Sequence, residues 1–337
     1  MYKIAYLVPY FGSLPKNFKT WLLSCEANED IDWILFTDDK TEYKFPKNVK
    51  VKYTTFKEFI KRIQDNYEFD IIIDRPWKLC EFRPAYGEIF EEELASYDFW
   101  GHCDMDMIWG NIRKFITDDI LDKFDKIGFQ GHSTLYKNCY EVNTRYKTIV
   151  PGKIDYKTIF CSKEGQCFDE NGICEIYDYL KIPYFRETNF AHLDRFASSF
   201  FLGHLPIDED YKNKRQIFIW ENGRVLRKYL VGKKVLQEEF MYLHFFSRPM
   251  SYKEKKYDLS NKYVIYPDIL KDLTEEINAK YINRYGKCNP ISFYCKVAYY
   301  NRKKLTVKKI INSFIIKYKS SKTRQNSKIS VKSNKIN

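Results

Sequence analysis

Apolar residues recur with two different periods along the first hundred positions, and the alternation between them predicts a layered α/β structure. Lys3 to Pro9, apolar from Ile4 onward, predicts a buried strand, followed by a turn at Gly12 to Pro15. From Asn17 to about Ala27 the spacing of Phe18, Leu22 and Leu23 is helical. Trp33 to Thr37 and Val49 to Tyr53 predict further strands, and Thr55 stands where it can cap an amphipathic helix over Phe56 to Gln64. Strands alternating with helices predict a mainly parallel sheet with helices on its faces.

The segment from Arg75 to Gly110 carries the most information. Pro84 suits the first turn of a helix running to about Ser96, and Tyr97 to Cys103 then predicts a strand with Asp104 and Asp106 at its carboxyl end. A helix of a dozen residues spans about 18 Å and a six-residue strand about 20 Å. Antiparallel packing of the two returns the helix start to the level of the strand end. Lys78, Glu81 and Arg83 are therefore expected near Asp104, at the edge where open α/β sheets bind ligands.

Further along, Ile127 to Gly131 predicts a strand, and Asn222-Gly223 between apolar runs predicts a hairpin. Glu239 to Phe246 predicts one late strand with His244 near its end. Beyond about residue 268 the pattern becomes helical, then basic and polar. The organisation expected is a catalytic domain over 1–267, a helical extension over 268–318 and a basic polar tail over 319–337.

The chain carries a formal charge of +12, but thirteen Lys or Arg and no Asp or Glu lie from Lys296 onward, so residues 1–295 sum to −1. A nearly neutral body argues against a nucleic-acid-binding face, which needs spread basic charge. The apolar positions from Val307 to Tyr318 recur at helical spacing among lysines, the pattern of an interfacial helix on an anionic membrane surface or of a helix packed on the body. The nine cysteines include no C-x-x-C pair, which fits buried free thiols in a reducing compartment better than disulfides; Cys161, Cys167 and Cys174 are too widely spaced for an ordinary zinc knuckle. The N-terminus does not read as a signal peptide, so a cytoplasmic body is expected, peripheral on the inner face of the cell membrane.

Three D-x-D triplets occur. Asp30/Asp32 precedes a strand and Asp208/Asp210 sits in a polar run, whereas Asp104/Asp106 follows an apolar strand. Two carboxylates at that position can direct oxygens at one hard cation, Mn²⁺ or Mg²⁺, which would also bridge a substrate diphosphate; the plainer alternative is an Asp-capped turn.

The stretches WKLCEFRPAYGEIF, YDFWGHCDMDMIWGNIRKF and EFMYLHFFSR resemble a bacterial family of polysaccharide-biosynthesis proteins with the GT-A fold, found in capsule and surface-glycan gene clusters. The resemblance covers roughly residues 1–260, and is more distantly similar to glycosyltransferases that use UDP-sugars. It implies that Asp104 and Asp106 hold the metal and that Lys78, Glu81 and Arg83 lie beside the nucleotide-sugar donor, although Glu81 stands where relatives are expected to carry Asp. It also implies a retaining outcome and a glycan acceptor, and attachment of the basic tail to a membrane would bring the enzyme to a lipid-linked one.

His244 is the candidate third metal ligand, with a backbone-bonded core histidine as the alternative. His102 shares a strand face with Asp104 and either supports it or packs in the core. Asp169 and Glu170 either touch an acceptor hydroxyl or cap the following helix, and Asp194 is a further acceptor-side candidate. Two rivals stand beside the transferase. A metal-dependent phosphodiesterase or hydrolase would want several histidines for two metals; here the five histidines are dispersed along the chain, but two H-x-D triplets, His102/Asp104 and His192/Asp194, keep it open. A non-catalytic RNA-binding protein would rest on the basic tail and aromatics.

Overall fold

The computed structural model describes residues 1–193, 202, 215–248, 250–253, 258–286, 291, 295 and 298–299. Residues 1–287 form one compact unit; in the second, 288–337, the four described residues are helical and exposed. The interfacial-helix segment from Val307 to Tyr318, the triplet Asp208/Asp210 and Asp194 lie outside the described residues.

The first sheet is built from β1 (Ile4–Tyr10), β2 (Ile31–Thr37), β3 (Val49–Tyr53), β4 (Phe99–Cys103), β6 (Lys126–Gln130) and β7 (Ser133–Lys137), in the order β3-β2-β1-β4-β7-β6. Its first four strands are parallel, and β7 runs antiparallel to both β4 and β6. The alternation in β1 explains why a continuous apolar run is needed. Ile4, Tyr6 and Val8 enter one core with Trp21, Trp33 and Trp109, while Ala5 and Leu7 enter another with Phe36, Phe59, Phe90 and Trp100. A strand buried on both faces has no polar side to show. The helix Phe56–Gln64 covers the second of these faces, and its capping box forms as the sequence predicts: Thr55 accepts from the Glu58 amide and Glu58 accepts from the Thr55 amide.

Three expectations are corrected. The helix expected from Pro84 to Ser96 forms only as two one-turn α-helices, Tyr86–Ile89 and Glu91–Leu94, broken at Phe90 and preceded by a 3₁₀ segment, Pro76–Ala85. Gly87 seats this region against Trp100 and Asn143 so closely that a Cβ there would approach within about 2.5 Å of both.

The late strand splits into β11 (Lys234–Phe240) and β12 (Tyr242–His244), which belong to different sheets.

The boundary expected at 267/268 falls inside a second six-stranded sheet. That sheet comprises β9 (Gln216–Glu221), β10 (Arg224–Val231), β11, β13 (Ser251–Tyr252), β14 (Lys262–Ile265) and β15 (Ile269–Asp272). β15 pairs with β14, so the compact unit continues past it through the helix Ala279–Tyr285. The hairpin at Asn222-Gly223 forms, with φ of 50° and 69° at its two turn residues, the left-handed pair that the two-residue turn requires.

A small third sheet carries the site. β5 (Met107–Trp109) pairs antiparallel with β12, and β12 pairs parallel with β8 (Phe190–His192). Its register sets His244 opposite Met107 on one side and His192 on the other.

Candidate metal centre

Asp104 and Asp106 sit where β4 gives way to β5, at the carboxyl edge of the parallel strands. The residue between them, Met105, is buried in the core and its carbonyl accepts from the Asn17 side-chain Nδ2, so the turn is pinned from behind. The Asp104 amide donates to the His132 carbonyl. With the middle residue held inward, both carboxylates are left partly open, 30% and 28% exposed. Asp30 and Asp32, by contrast, pair with Arg113 and with Lys50 and Tyr97.

His244 joins the acid pair through the third sheet. Its Nε2 lies 3.2 Å from Asp106 Oδ1 and 3.7 Å from Asp104 Oδ2. Just beyond it Phe246 and Ser247 both have φ of 51°, an uncommon left-handed pair that turns the Ser247 amide onto Asp106 Oδ2 at 2.5 Å. Burial alone would raise the Asp106 carboxyl, but His244 and the Ser247 amide outweigh it and hold it below the usual carboxylate range. Burial would likewise lower His244; the two carboxylates outweigh it and raise it.

Arg83 closes the other side. It donates to Asp104 Oδ1 at 2.5 Å, to Asp169 Oδ2 at 2.9 Å and to the Gly131 carbonyl at 2.7 Å. Gly131 in turn donates its amide to Glu170 Oε1 at 3.0 Å. A Cβ at Gly131 would stand 2.5 Å from Asp169 Oδ2, so only glycine lets the two acids straddle that backbone. Asp169 and Glu170 therefore bond to Arg83 and to the Gly131 amide, and they also stand in the first turn of the helical segment Phe168–Gly172.

Asp104, Asp106 and His244 thus offer two oxygens and a nitrogen that all lie within 4.8 Å of one another. Around an octahedral cation with bonds of ~2.1 Å, neighbouring ligands stand about 3 Å apart, so the separations seen fit one such ion with small adjustments. Residues 6–274, from within β1 to just past β15, match a family of unknown function, DUF6625. The chain belongs to that family. No curated protein matches it.

Within this DUF6625 chain two of the expected donor-side residues are not at the acid pair. Lys78 is fully buried and its ammonium donates to the carbonyls of Ile159 (3.2 Å) and Glu164 (2.7 Å); burial lowers its pKa. Glu81 accepts the amides of Gln166 (2.7 Å), Cys167 (3.1 Å) and Phe168 (3.0 Å). Both brace the segment that delivers Asp169, so only Arg83 of the three reaches the site. Sequence spacing located the level of the 3₁₀ segment but not the direction each side chain takes from it. Replacing Glu81 by Gln leaves one good acceptor for three amides and should destabilise the fold by about 3 kcal/mol. Chemical denaturation checks this; an unchanged midpoint would return Glu81 to a ligand-facing role.

Two further histidines lie close by; the sequence pointed to His192 only through its H-x-D triplet and to His132 not at all. His132 lies in the β6–β7 turn with Nδ1 2.9 Å from the Tyr242 hydroxyl, and His192 Nδ1 lies 2.9 Å from His244 Nδ1. The dispersal of histidines along the sequence does not survive folding: three of the five gather behind the acid pair. His102 does not join them. It packs near Tyr136 in the core, where burial, then Arg83 and Lys126, hold it neutral. The described cysteines are free, and Cys161 and Cys167 are exposed rather than buried.

Asp169 introduces a pH dependence. Burial pushes its carboxyl up to about 7, against the pull of Arg83. A raised carboxyl binds a proton in the fold that the unfolded chain releases near pH 4. Its contribution to stability is therefore present below pH ~4 and is lost as pH rises through about 7. In metal-free protein, Asp169→Asn should flatten the fall in stability between those limits. Urea midpoints from pH 4 to 8 measure it, and parallel profiles for the two proteins would contradict the assignment.

Proposed function

We propose that this chain is a metal-dependent glycosyltransferase. It moves a sugar from a nucleotide-diphospho-sugar, UDP-sugars being the first class to test, to a glycan acceptor in surface-polysaccharide biosynthesis. The observation that carries the reading is the convergence of Asp104, Asp106 and His244 at the carboxyl edge of a mixed, mainly parallel sheet, with Arg83 beside them. A GT-A-type fold is the finer reading of that α/β architecture, supported by the strand order and by the acid pair directly after β4.

A Mn²⁺ or Mg²⁺ ion held there would offset charge developing on the departing diphosphate. The chain's own residues do the rest. Asp104 and Asp106 face the open side and present their oxygens to the donor. Arg83 orients Asp104 and keeps Asp169 in place, and Asp169 and Glu170 form the polar wall on the far side of Gly131. The acceptor is a lipid-linked glycan in this proposal, with the basic stretch after Lys296 holding the protein to an anionic membrane surface. Among the described residues no helix is long and apolar enough to cross a membrane.

The histidine cluster is the observation that favours the rival hydrolase. Two-metal hydrolysis wants its cations ~3.5–4 Å apart. Here the acid set and the histidine set share only His244, and an imidazole used through both ring nitrogens holds two cations farther apart than that. The transferase is therefore preferred. Thermal unfolding with UDP-, GDP- and dTDP-sugars, with and without Mn²⁺, tests it. A donor at 100-fold its Kd adds about 2.7 kcal/mol of stability, a rise of several degrees that should require the metal. Phosphodiester cleavage with no nucleotide-sugar response in any arm would overturn the reading.

A further inference from the structure

We infer that His132, His192 and His244 form a second cation site, nitrogen-rich and suited to zinc(II) and similar borderline transition metals, which competes with the acid pair for His244. The site does not depend on the sugar-transfer reading. It follows from the register of the third sheet. β8 and β12 are parallel, with Phe190 beside Tyr242 and His192 beside His244, so strand alternation sends both histidines to one face and Ala191 and Leu243 to the other. His132 arrives on the same face from the β6–β7 turn, its ring 4.3 Å from that of His244 and 5.7 Å from that of His192. All three are buried, and one nitrogen from each lies within 4.8 Å of the others.

The second nitrogens of His132 and His244 are arranged as metal-bound imidazoles require. A ligating histidine is oriented by what its other ring nitrogen bonds. For His132 that partner is the Tyr242 hydroxyl on Nδ1, which assigns Nε2 to the cation. His244 presents Nδ1 toward His192 and Nε2 toward Asp106. Bound to metal through Nδ1, it keeps its proton on Nε2 and donates it to Asp106, the carboxylate–histidine–metal arrangement. Ligating nitrogens around a tetrahedral ion with bonds of ~2.0–2.1 Å stand about 3.4 Å apart. The 2.9 Å between His192 and His244, with the outer limit of 4.8 Å for the set, brackets that value.

Exclusivity follows from the same ring. A neutral imidazole that binds metal through one nitrogen carries its proton on the other. His244 therefore serves the acid pair through Nε2 or the histidine pair through Nδ1, not both. Hard Mn²⁺ and Mg²⁺ favour the carboxylate oxygens, whereas zinc-like ions favour imidazole. Occupation of the histidine set turns Asp106 from a ligand into the acceptor for Nε2–H and weakens the acid site.

Cobalt(II), titrated into metal-free full-length protein, is the probe, because its visible d–d bands report four-coordinate geometry without any sugar substrate. Wild-type protein and Asp104→Asn should each take one equivalent with these bands. His192→Gln and His132→Gln should each lose them and bind at least about 100-fold more weakly, at or beyond the upper end of the 10–100-fold typical of outer-shell partners. The same histidine variants should still bind Mn²⁺, read by its paramagnetic resonance, which shows that they fold. In wild-type protein zinc should raise the apparent Kd for Mn²⁺. Absence of four-coordinate bands in wild-type protein, or cobalt binding lost in Asp104→Asn as fully as in the histidine variants, would overturn the site. Failure of the nucleotide-sugar assays would leave these readouts unaffected.

Discussion

Asp106→Asn and Asp104→Asn should each lower metal-dependent sugar transfer by roughly 10²–10³-fold, the scale on which a preorganised electrostatic contact acts. Each substitution removes one carboxylate charge at nearly constant volume, so the loss falls on the cation rather than on packing. Asp106→Asn keeps an oxygen for the Ser247 amide but loses the anionic partner of His244. Asp104→Asn removes one of two carboxylates from Arg83, which retains Asp169 and the Gly131 carbonyl. The fold should therefore survive both changes. Initial rates against Mn²⁺ concentration, with calorimetric Mn²⁺ affinity on the same preparations, decide the matter. Near-normal transfer by both variants, with metal still required, would move the centre elsewhere.

Above the Asp169 pKa of about 7, Arg83→Met should cost about 3–5 kcal/mol of folding stability, because it strands a carboxylate in a largely closed setting; at lower pH the carboxyl takes a proton and the cost shrinks. Asp169 is 7% exposed and has Arg83 as its ion-pair partner at 2.9 Å. Lysine at this position should recover only part of the loss, since one ammonium cannot reproduce a planar fork shared between Asp104, Asp169 and the Gly131 carbonyl. If the stranded carboxylate is the cause, adding Asp169→Asn to the Arg83→Met variant should restore much of the stability. A double-mutant cycle by urea denaturation reads that coupling. Loss below about 1 kcal/mol in the single variant, or strict additivity in the double, would mean that solvent reaches Asp169 readily.

The local elements were legible because their causes are local. The doubly buried β1, the Thr55 capping box and the left-handed Asn222-Gly223 turn each depend on residues a few positions apart. The acid pair was legible for a related reason: two carboxylates after a strand with five buried residues have no packing role to explain them. Other features depend on residues brought from far along the chain. Lys78 and Glu81 share a segment with Arg83, yet they turn to the carbonyls and amides of residues 159–168, about 85 positions away. Nothing in their spacing distinguishes a phosphate-facing lysine from one that braces a loop.

By itself the sequence determined the two periodicities, the strands of the parallel half-sheet, the carboxyl-edge position of Asp104 and Asp106, and the segregation of positive charge after Lys296. Tertiary structure decided which side chains share the site. The late strand divides at Phe240–Tyr242, and β12 enters a small sheet whose register sets His244 beside Asp106 and His192. That register is fixed by pairing between segments more than fifty residues apart, and a one-residue slip would turn every side chain of β12 to the opposite face. Periodicity within a strand reports which residues share a face; only the pairing determines what that face meets.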